Sequence, residues 1–394
     1  MSRKERVLVY GYGEIYQKNR HWIFTIYEIV GIVDQKWESS DREHGFYTIG
    51  DGLELDFERI LVTTGCRAFE EIKQFLIVDH HFLPEKIIYF HDEFLEERKM
   101  SFGEKNPEIC FYILRAHWQE QNNGFYNFFN RAVRTYHYAK KNGYEFLVDM
   151  KNYYTEYAGL DNYGKYNVWE NYYEQPSRYS LEEVYCSKNV IFSKFGTEWS
   201  KERIGDIFLE NKENYFPYAE LGKRYADSFC MNAVLVENVQ SEKTRLNWGK
   251  QKILGVLMRG TDFKSCPPRH PVTHDINDVI KDVLKIMETK GYHLVYLATE
   301  DSAYLRVFCE RIGDKLIYSE QYRTDRDDIS LMSLKFPRDN DGYLRGLEYC
   351  IVIEMLSSCS GIVANCMCGG TMAALTRNQG KFEDILVYDD GFYQ

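Results

Sequence analysis

The sequence Ile253-Leu254-Gly255-Val256-Leu257-Met258-Arg259-Gly260-Thr261-Asp262 joins an apolar run directly to a polar one. An uninterrupted apolar run of this length is typical of a strand that is buried on both faces, as in a parallel sheet. The apolar residues that follow repeat at helical spacing and predict a helix: Ile276, Val279, Ile280, Val283, Leu284 and Met287. A strand followed by a helix predicts an α/β domain in which Arg259, Thr261 and Asp262 lie at the carboxyl end of the strand.

Strands and helices continue to alternate after this run. We predict strands at His293–Leu297, Lys315–Tyr318 and Gly361–Ala364, and helices at Tyr343–Ser357 and from Gly369 onward. This order favours an open, doubly wound parallel sheet, in which ligands bind outside the carboxyl ends of the strands.

Two earlier regions show the same alternation. Short apolar strands separated by helices predict a first parallel sheet: Arg6–Tyr10, Glu28–Val33, Arg59–Thr63 and Lys86–Phe90. After a charged, irregular stretch near 91–107, strands are predicted at Glu108–Leu114 and Tyr144–Val148, with a helix at Phe128–Asn142 between them. We therefore predict three domains: a Rossmann-like module at 1–104, a second domain at 105–248 and a third at 249–394.

The composition is that of a folded, acidic protein. The 394 residues carry 49 Lys and Arg against 60 Asp and Glu, a net charge of −11, which argues against nucleic acid or an anionic membrane as a partner. The 10 cysteines include no CxxC pair, so neither a zinc site nor a disulfide framework is predicted. No apolar run is long enough for a signal peptide or a transmembrane segment, and we expect a cytoplasmic protein.

A glycine pair follows the first predicted strand. Gly11-Tyr12-Gly13, with Asp34 at the end of the second strand, matches the start of a dinucleotide-binding fingerprint, but Tyr16 stands where its third glycine belongs. Two interpretations stay open: an NAD-dependent oxidoreductase, or glycines that serve the geometry of the turn alone.

Polar clusters follow three strands of the third domain: Arg259 to Asp262, Glu300-Asp301, and Asn365–Thr371. An arginine that directly follows a buried strand suits recognition of a phosphate, and Gly369-Gly370-Thr371 at a helix start offers free N–H groups to the same anion. The alternative is that Arg259 merely pairs with Asp262 and Glu300 and fastens the strand ends together.

Several motifs of the second and third domains resemble those of the α1,6-/O-fucosyltransferase superfamily, in particular a bacterial branch of polysaccharide-biosynthesis proteins. The resemblance runs in order through about 105–394 and is carried by Gly255–Phe263 with His270-Pro271-Val272, Val295–Asp301, Tyr343–Leu356 with Ser358–Ala374, Gly124–Asn130, Val148-Asp149, and Asn167–Glu170. It implies a GT-B pair of Rossmann-like domains, preceded here by a small extra α/β module.

The resemblance also implies an activity: a metal-independent, inverting glycosyltransferase with GDP-fucose as donor substrate and no cofactor. The acceptor would be a glycan, a lipid-linked oligosaccharide or a peptide. Arg259 and Asp262 match catalytic positions. The positions that match donor binding are Gly124, Phe125, Asn127, Arg259, His270, Glu300, Asp301, Arg345, Cys368, Gly369, Gly370 and Thr371. Asp301 matches the acid that reads the guanine base. Asp149, Trp169 and Glu170 match the acceptor side.

The sequence departs from the family at several positions. Leu257 replaces a histidine, Gly260 an arginine, and Met367-Cys368 a pair of serines. The carboxylate used as general base aligns with Pro267, so the base is left among Asp262, Asp149 and Glu170. A transferase for another nucleotide-sugar, and a non-catalytic nucleotide-sugar-binding or scaffold protein, stay open as alternatives.

Overall fold

The computed structural model describes residues 4–116, 124–159, 161–194, 216–249, 251–265, 268, 270–329 and 331–394. The strands are β1 Glu5–Tyr10, β2 Tyr27–Val33, β3 Phe46–Tyr47, β4 Arg59–Val62, β5 Ile87–Tyr89, β6 Arg98–Met100, β7 Lys105–Leu114, β8 Glu145–Val148, β9 Ser187–Phe192, β10 Ile253–Leu257, β11 Leu294–Ala298, β12 Leu316–Ile317, β13 Gly361–Ala364 and β14 Asp384–Val387. The α-helices are α1 Glu14–Ile26, α2 Ile49–Leu53, α3 Cys66–Val78, α4 Phe125–Lys141, α5 Leu181–Val184, α6 Phe216–Arg224, α7 Ala233–Arg245, α8 Ile276–Lys290, α9 Ser302–Ile312, α10 Asp341–Ser357 and α11 Gly369–Asn378. No helix in these ranges is long and apolar enough to span a membrane.

The chain folds into two compact units that interleave in sequence. Unit 1 comprises Met1–Gln121, Asn142–Asn167 and Ser177–Thr197, and unit 2 comprises Asn122–Lys141, Val168–Pro176 and Glu198–Gln394. The three domains predicted from the sequence are consecutive, whereas these units are not. The division at 104/105 and 248/249 stays a prediction.

Unit 1 contains two sheets. The first has the strand order β3-β2-β1-β4-β5, and all its pairs are parallel, so the predicted parallel sheet is confirmed. The second has the order β6-β9-β7-β8, with β6 antiparallel to β9. Trp22 on α1 contacts Phe192 on β9 with ring centroids 4.4 Å apart, so the two sheets share one apolar core.

Unit 2 is built on one parallel sheet with the order β12-β11-β10-β13-β14. The strand predicted at Ile253–Met258 is β10, which is fully buried and lies at the centre of this sheet, and the α/β fold with parallel sheets is confirmed. Gly255 lies where α10 crosses this strand, because a Cβ there would meet Leu356 Cδ1 at 2.6 Å. Helix α4 follows β7 in sequence but packs on α6 and α11, which is why the units interleave.

A buried polar network joins four segments of unit 2. Tyr126 on α4 and Tyr173 share a hydrogen bond of 2.8 Å, and the Tyr173 hydroxyl donates to Glu354 on α10 at 2.7 Å. Arg377 on α11 pairs with both oxygens of the same carboxylate, at 2.6 and 3.2 Å. The network therefore fixes the relative positions of α4, α10 and α11.

Candidate functional site

Arg259 is held at the end of β10 by its backbone. Its N–H donates to Asn365 Oδ1, and Asn365 Nδ2 donates back to the Arg259 carbonyl, both at 2.8 Å. Asn365 directly follows β13, the neighbouring strand. This reciprocal pair joins two strand ends and directs the Arg259 side chain into a cavity at the carboxyl edge of the sheet.

The Arg259 guanidinium already has partners within unit 2. Nη1 lies 3.0 Å from Glu300 Oε1, Nη2 lies 3.3 Å from Asp262 Oδ1, and the group stacks over the Phe263 ring at 4.2 Å. Burial would lower the pKa of Arg259, but the carboxylates of Glu300 and Asp262 raise it above the usual range. Arg259 therefore does pair with Asp262 and Glu300, the alternative that the sequence left open. These pairs keep the cation charged inside the cavity.

The turn after Arg259 depends on a glycine. The Gly260 N–H donates to Glu300 Oε1 at 2.9 Å, and the Thr261 N–H donates to Asp301 Oδ2 at 3.0 Å. A Cβ on Gly260 would lie 2.4 Å from Asp301 Oδ2. A side chain at position 260 would therefore collide with the Asp301 carboxylate.

Asp301 is fully buried behind the cavity wall. It caps α9 by accepting from the N–H groups of Ala303 and Tyr304 at 2.8 and 3.1 Å, and it pairs with Lys264. Burial would raise its pKa, but the bond from Lys264 and the backbone N–H groups hold that pKa below the usual range. Glu300, rather than Asp301, lines the cavity, and the base-reading role of Asp301 stays a prediction.

Two helix N-termini meet at the cavity. Helix α11 begins after Cys368, whose side chain forms no capping hydrogen bond. Gly124 and Asn127, at the start of α4, line the same cavity. A Cβ on Gly369 would lie 2.6 Å from Asn127 Oδ1, so the approach requires glycine. The missing side-chain cap of α11 and the positive ends of both helices suit an anion such as a phosphate.

The Cys368 thiol lies in this loop next to the guanidinium. Its sulfur is 3.4 Å from Thr371 Oγ1, and the buried Thr371 hydroxyl donates to the Cys366 carbonyl at 2.9 Å. A hydrogen bond from the Cys366 thiol lowers the pKa of Cys368 to about 6, against the opposing effect of burial and with help from Arg259.

The cavity encloses about 220 Å³, and most predicted donor-binding residues line it. These are Gly124, Asn127, Arg259, His270, Glu300, Arg345, Cys368, Gly369 and Gly370, and Asp262, predicted as catalytic, lines the cavity with them. Arg345, on the first turns of α10, pairs with Asp341 at 3.0 Å and donates to the Leu331 carbonyl at 3.3 Å. The sequence thus located the carboxyl edge of the sheet and the side chains that meet there.

Other predicted residues of unit 2 lie away from the cavity lining. Phe125 is buried against Trp169 and Tyr172, with centroids 5.8 and 5.0 Å away, and Thr371 is buried under the α11 loop. Trp169 is itself buried and donates Nε1–H to the Glu174 carbonyl at 2.9 Å. Glu170 is exposed and accepts from Gln175 at 2.9 Å.

Asp149 lies in unit 1, directly after β8. Its carboxylate accepts from the N–H groups of Lys151 and Asn152 at 2.8 and 3.1 Å and from the Tyr185 hydroxyl. Asp149 is 1% exposed, so these bonds fix a turn. Its acceptor-side role, like those of Trp169 and Glu170, stays a prediction.

The N-terminal glycine pair forms a turn closed by Asp34. Gly11 has φ 108°, which favours glycine, and Asp34 Oδ2 accepts from the Tyr12 N–H at 2.8 Å. The other oxygen accepts from the Lys36 N–H at 3.1 Å. The Asp34 carboxylate is thus occupied by two backbone N–H groups. This favours the interpretation that the two glycines serve the geometry of the turn alone.

Sequence reasoning missed one wall of the cavity. Gln321, Tyr322, Leu331, Phe336 and Glu348 line it, and the first four lie between β12 and α10. The stretch between β12 and α10 has no hydrophobic periodicity, so its sequence predicts neither an element of secondary structure nor a place in the site. Among the described residues, no group of three His, Cys, Asp or Glu side chains is arranged to hold a metal ion.

We compared the chain with known proteins. No protein-family profile and no curated protein sequence matches it. Among solved structures, it is similar to the α-1,6-fucosyltransferase NodZ of Bradyrhizobium, co-crystallised with GDP, at 14% identity and a TM-score of 0.42, over 72% of this chain and 96% of that chain. A variant of Arabidopsis thaliana FUT1 with GDP is similar at 8% identity and 0.42, over 73% of each chain, and POFUT1 with GDP at 9% and 0.32, over 98% of each.

Proposed function

We propose that this chain is a glycosyltransferase that moves fucose from GDP-fucose to a hydroxyl group, with inversion and without a metal or cofactor. The observation that carries the proposal is the meeting of Arg259 with the uncapped start of α11 and the first turn of α4 in one cavity. A nucleoside diphosphate needs a fixed cation and free N–H groups, and these elements supply both. The choice of fucose and guanine rests on the sequence resemblance.

In the proposed reaction, the acceptor hydroxyl attacks the anomeric carbon while the diphosphate leaves. Negative charge grows on the β-phosphate, where Arg259 and the α11 N-terminus would stabilise it. Asp262 is 3.3 Å from Arg259 Nη2, so it either orients the guanidinium or takes the acceptor proton. The acceptor would be a glycan, a lipid-linked oligosaccharide or a peptide, and polysaccharide biosynthesis is the proposed setting.

A second candidate is a non-catalytic nucleotide-sugar-binding protein. It is favoured by the two carboxylates of Glu300 and Asp262 beside Arg259, because their negative charge opposes the approach of a phosphate. The two candidates differ in whether the sugar–phosphate bond breaks.

Thermal shifts with GDP, UDP, CDP, ADP and their sugars test the donor. A ligand that binds the folded state at 100 times its Kd stabilises it by about 2.7 kcal/mol, so GDP and GDP-fucose should raise the melting temperature most. Release of GDP from GDP-fucose, with and without candidate acceptors, tests catalysis. A shift with UDP but not GDP would contradict the donor assignment, and binding without release would favour the second candidate.

A further inference from the structure

An aromatic stack lies on the cavity wall that the sequence left unassigned. The rings of Tyr322 and Phe336 are 4.2 Å apart and tilted by 13°, and the Arg338 guanidinium lies over the Tyr322 ring at 4.5 Å. Both rings line the cavity, yet Tyr322 is 40% exposed. An aromatic face that lines a cavity and is covered by no second ring is available to a flat ligand.

The loop that carries Tyr322 is fixed to the end of β11. Arg323 donates to the Thr299 carbonyl at 3.1 Å and to the Ser319 carbonyl at 2.6 Å. The Thr324 N–H donates to the Glu300 carbonyl at 3.1 Å. These bonds hold Tyr322 in place before any ligand binds, so its position costs little on binding.

The other half of the stack is fixed to α10. The Phe336 N–H donates to Asp341 Oδ2 at 3.2 Å, and Arg338 donates to Asp341 at 2.8 Å and to Glu348 at 2.5 and 3.1 Å. Phe336 covers one face of the Tyr322 ring, and the Arg338 guanidinium also lies over the Tyr322 ring. The face that Phe336 turns away from Tyr322 contacts no second ring of the described residues and is the one left for a ligand.

The stack is separated from the anion-binding end of the cavity by the width of two strands. Tyr322 lies on the loop after β12 and Arg259 directly after β10, and these two strands are two positions apart in the sheet, with roughly 10 Å between their axes. That separation is comparable to the length of a nucleoside. A ligand with its diphosphate at Arg259 would therefore bring its base to the aromatic wall.

We propose that Phe336, supported by Tyr322 and Arg338, is the stacking platform for the base of the nucleoside diphosphate. This inference rests on the proposed function and assigns its base-binding residues. An aromatic side chain can stack on any base, because every base has a flat face. The platform therefore sets the affinity for the nucleoside part of the ligand and leaves the contacts of the diphosphate unchanged.

The test compares GDP with inorganic pyrophosphate by calorimetry on the full chain. Phe336→Leu should weaken GDP binding roughly 10- to 100-fold and leave pyrophosphate binding within a factor of two or three, and Phe336→Tyr should retain GDP affinity. Tyr322→Leu should show a smaller loss of the same kind. Phe24→Leu, at an exposed phenylalanine of unit 1, is the matched control.

Equal affinity of Phe336→Leu and wild type for GDP would overturn the platform while leaving the proposed function standing. An equal loss for GDP and pyrophosphate would also overturn it, because the ring would then act through the shape of the cavity. If the wild-type protein binds no nucleotide at all, the proposed function itself fails.

Discussion

The Arg259 guanidinium pairs with the carboxylates of both Glu300 and Asp262. The distances are 3.0 and 3.3 Å, so two of the N–H directions are already used. A guanidinium has five N–H donors in a planar fork, and the others can meet a phosphate without breaking these pairs. The carboxylates orient the cation and keep it protonated, and their negative charge weakens the positive potential that it presents to a phosphate.

We predict that Arg259→Ala lowers transfer from GDP-fucose by roughly 10²- to 10³-fold, because the charge that grows on the leaving phosphate loses its cation. Arg326→Ala, at an exposed arginine paired with Asp328, is the control and should keep wild-type turnover. Circular dichroism checks that both variants are folded. An Arg259→Ala enzyme with near-normal turnover would exclude the proposed role.

Cys368 gives a prediction on pH dependence. Its pKa is about 6 in the folded chain and about 8.5 in an unfolded one, so between these values the unfolded state binds the extra proton and stability rises with pH. This contribution is complete above the unfolded pKa and is lost as the pH falls through 6.

The free energy of unfolding of wild type, minus that of Cys368→Ser, should therefore increase from pH 6 to about pH 8.5 in urea titrations. Cys309→Ser, at an exposed cysteine of the same unit, should show no such trend. A difference between wild type and Cys368→Ser that stays constant with pH would mean that Cys368 is an ordinary thiol.

At the scale of elements, the cavity depends on how closely α4 and α11 approach. The Asn130 side chain donates to the Gly369 carbonyl at 2.8 Å, and Asn127 packs against the α-carbon of Gly369. Gly369 is the first residue of α11, and Asn127 and Asn130 lie in the first two turns of α4. The glycine keeps the two N-termini within reach of one anion.

Gly369→Ala should lower the free energy of unfolding by about 1–3 kcal/mol, because the new methyl group would meet Asn127 Oδ1 at 2.6 Å. Combining it with Asn127→Ala removes that atom, so the double variant should recover part of the loss. Gly50→Ala, where an added Cβ meets nothing within 4 Å, is the control. Additive effects in the double-mutant cycle would show that the contact is unimportant.

At the scale of the whole molecule, the sequence predicted the parallel sheets, the strand end at Arg259 and the helix start at Gly369, because buried strands and helix starts are local patterns. Interleaving of the units is a property of packing: α4 leaves β7 and joins α6 and α11, which no local pattern encodes. Tyr322 and Phe336 meet through a stretch without periodicity. Asp301 fell outside the cavity because it caps α9, where its carboxylate accepts from the N–H groups of Ala303 and Tyr304.

The network of Tyr126, Tyr173, Glu354 and Arg377 joins segments from all three parts of unit 2. Arg377→Met would leave the Glu354 carboxylate buried without its cation, and we expect it to lower the free energy of unfolding by about 3–5 kcal/mol. Adding Glu354→Gln removes the unpaired charge, so the double variant should be more stable than Arg377→Met alone. Arg326→Met, at the exposed pair with Asp328, should change little. If Arg377→Met has the same midpoint of urea unfolding as the wild type, unit 2 is held together by its apolar contacts alone.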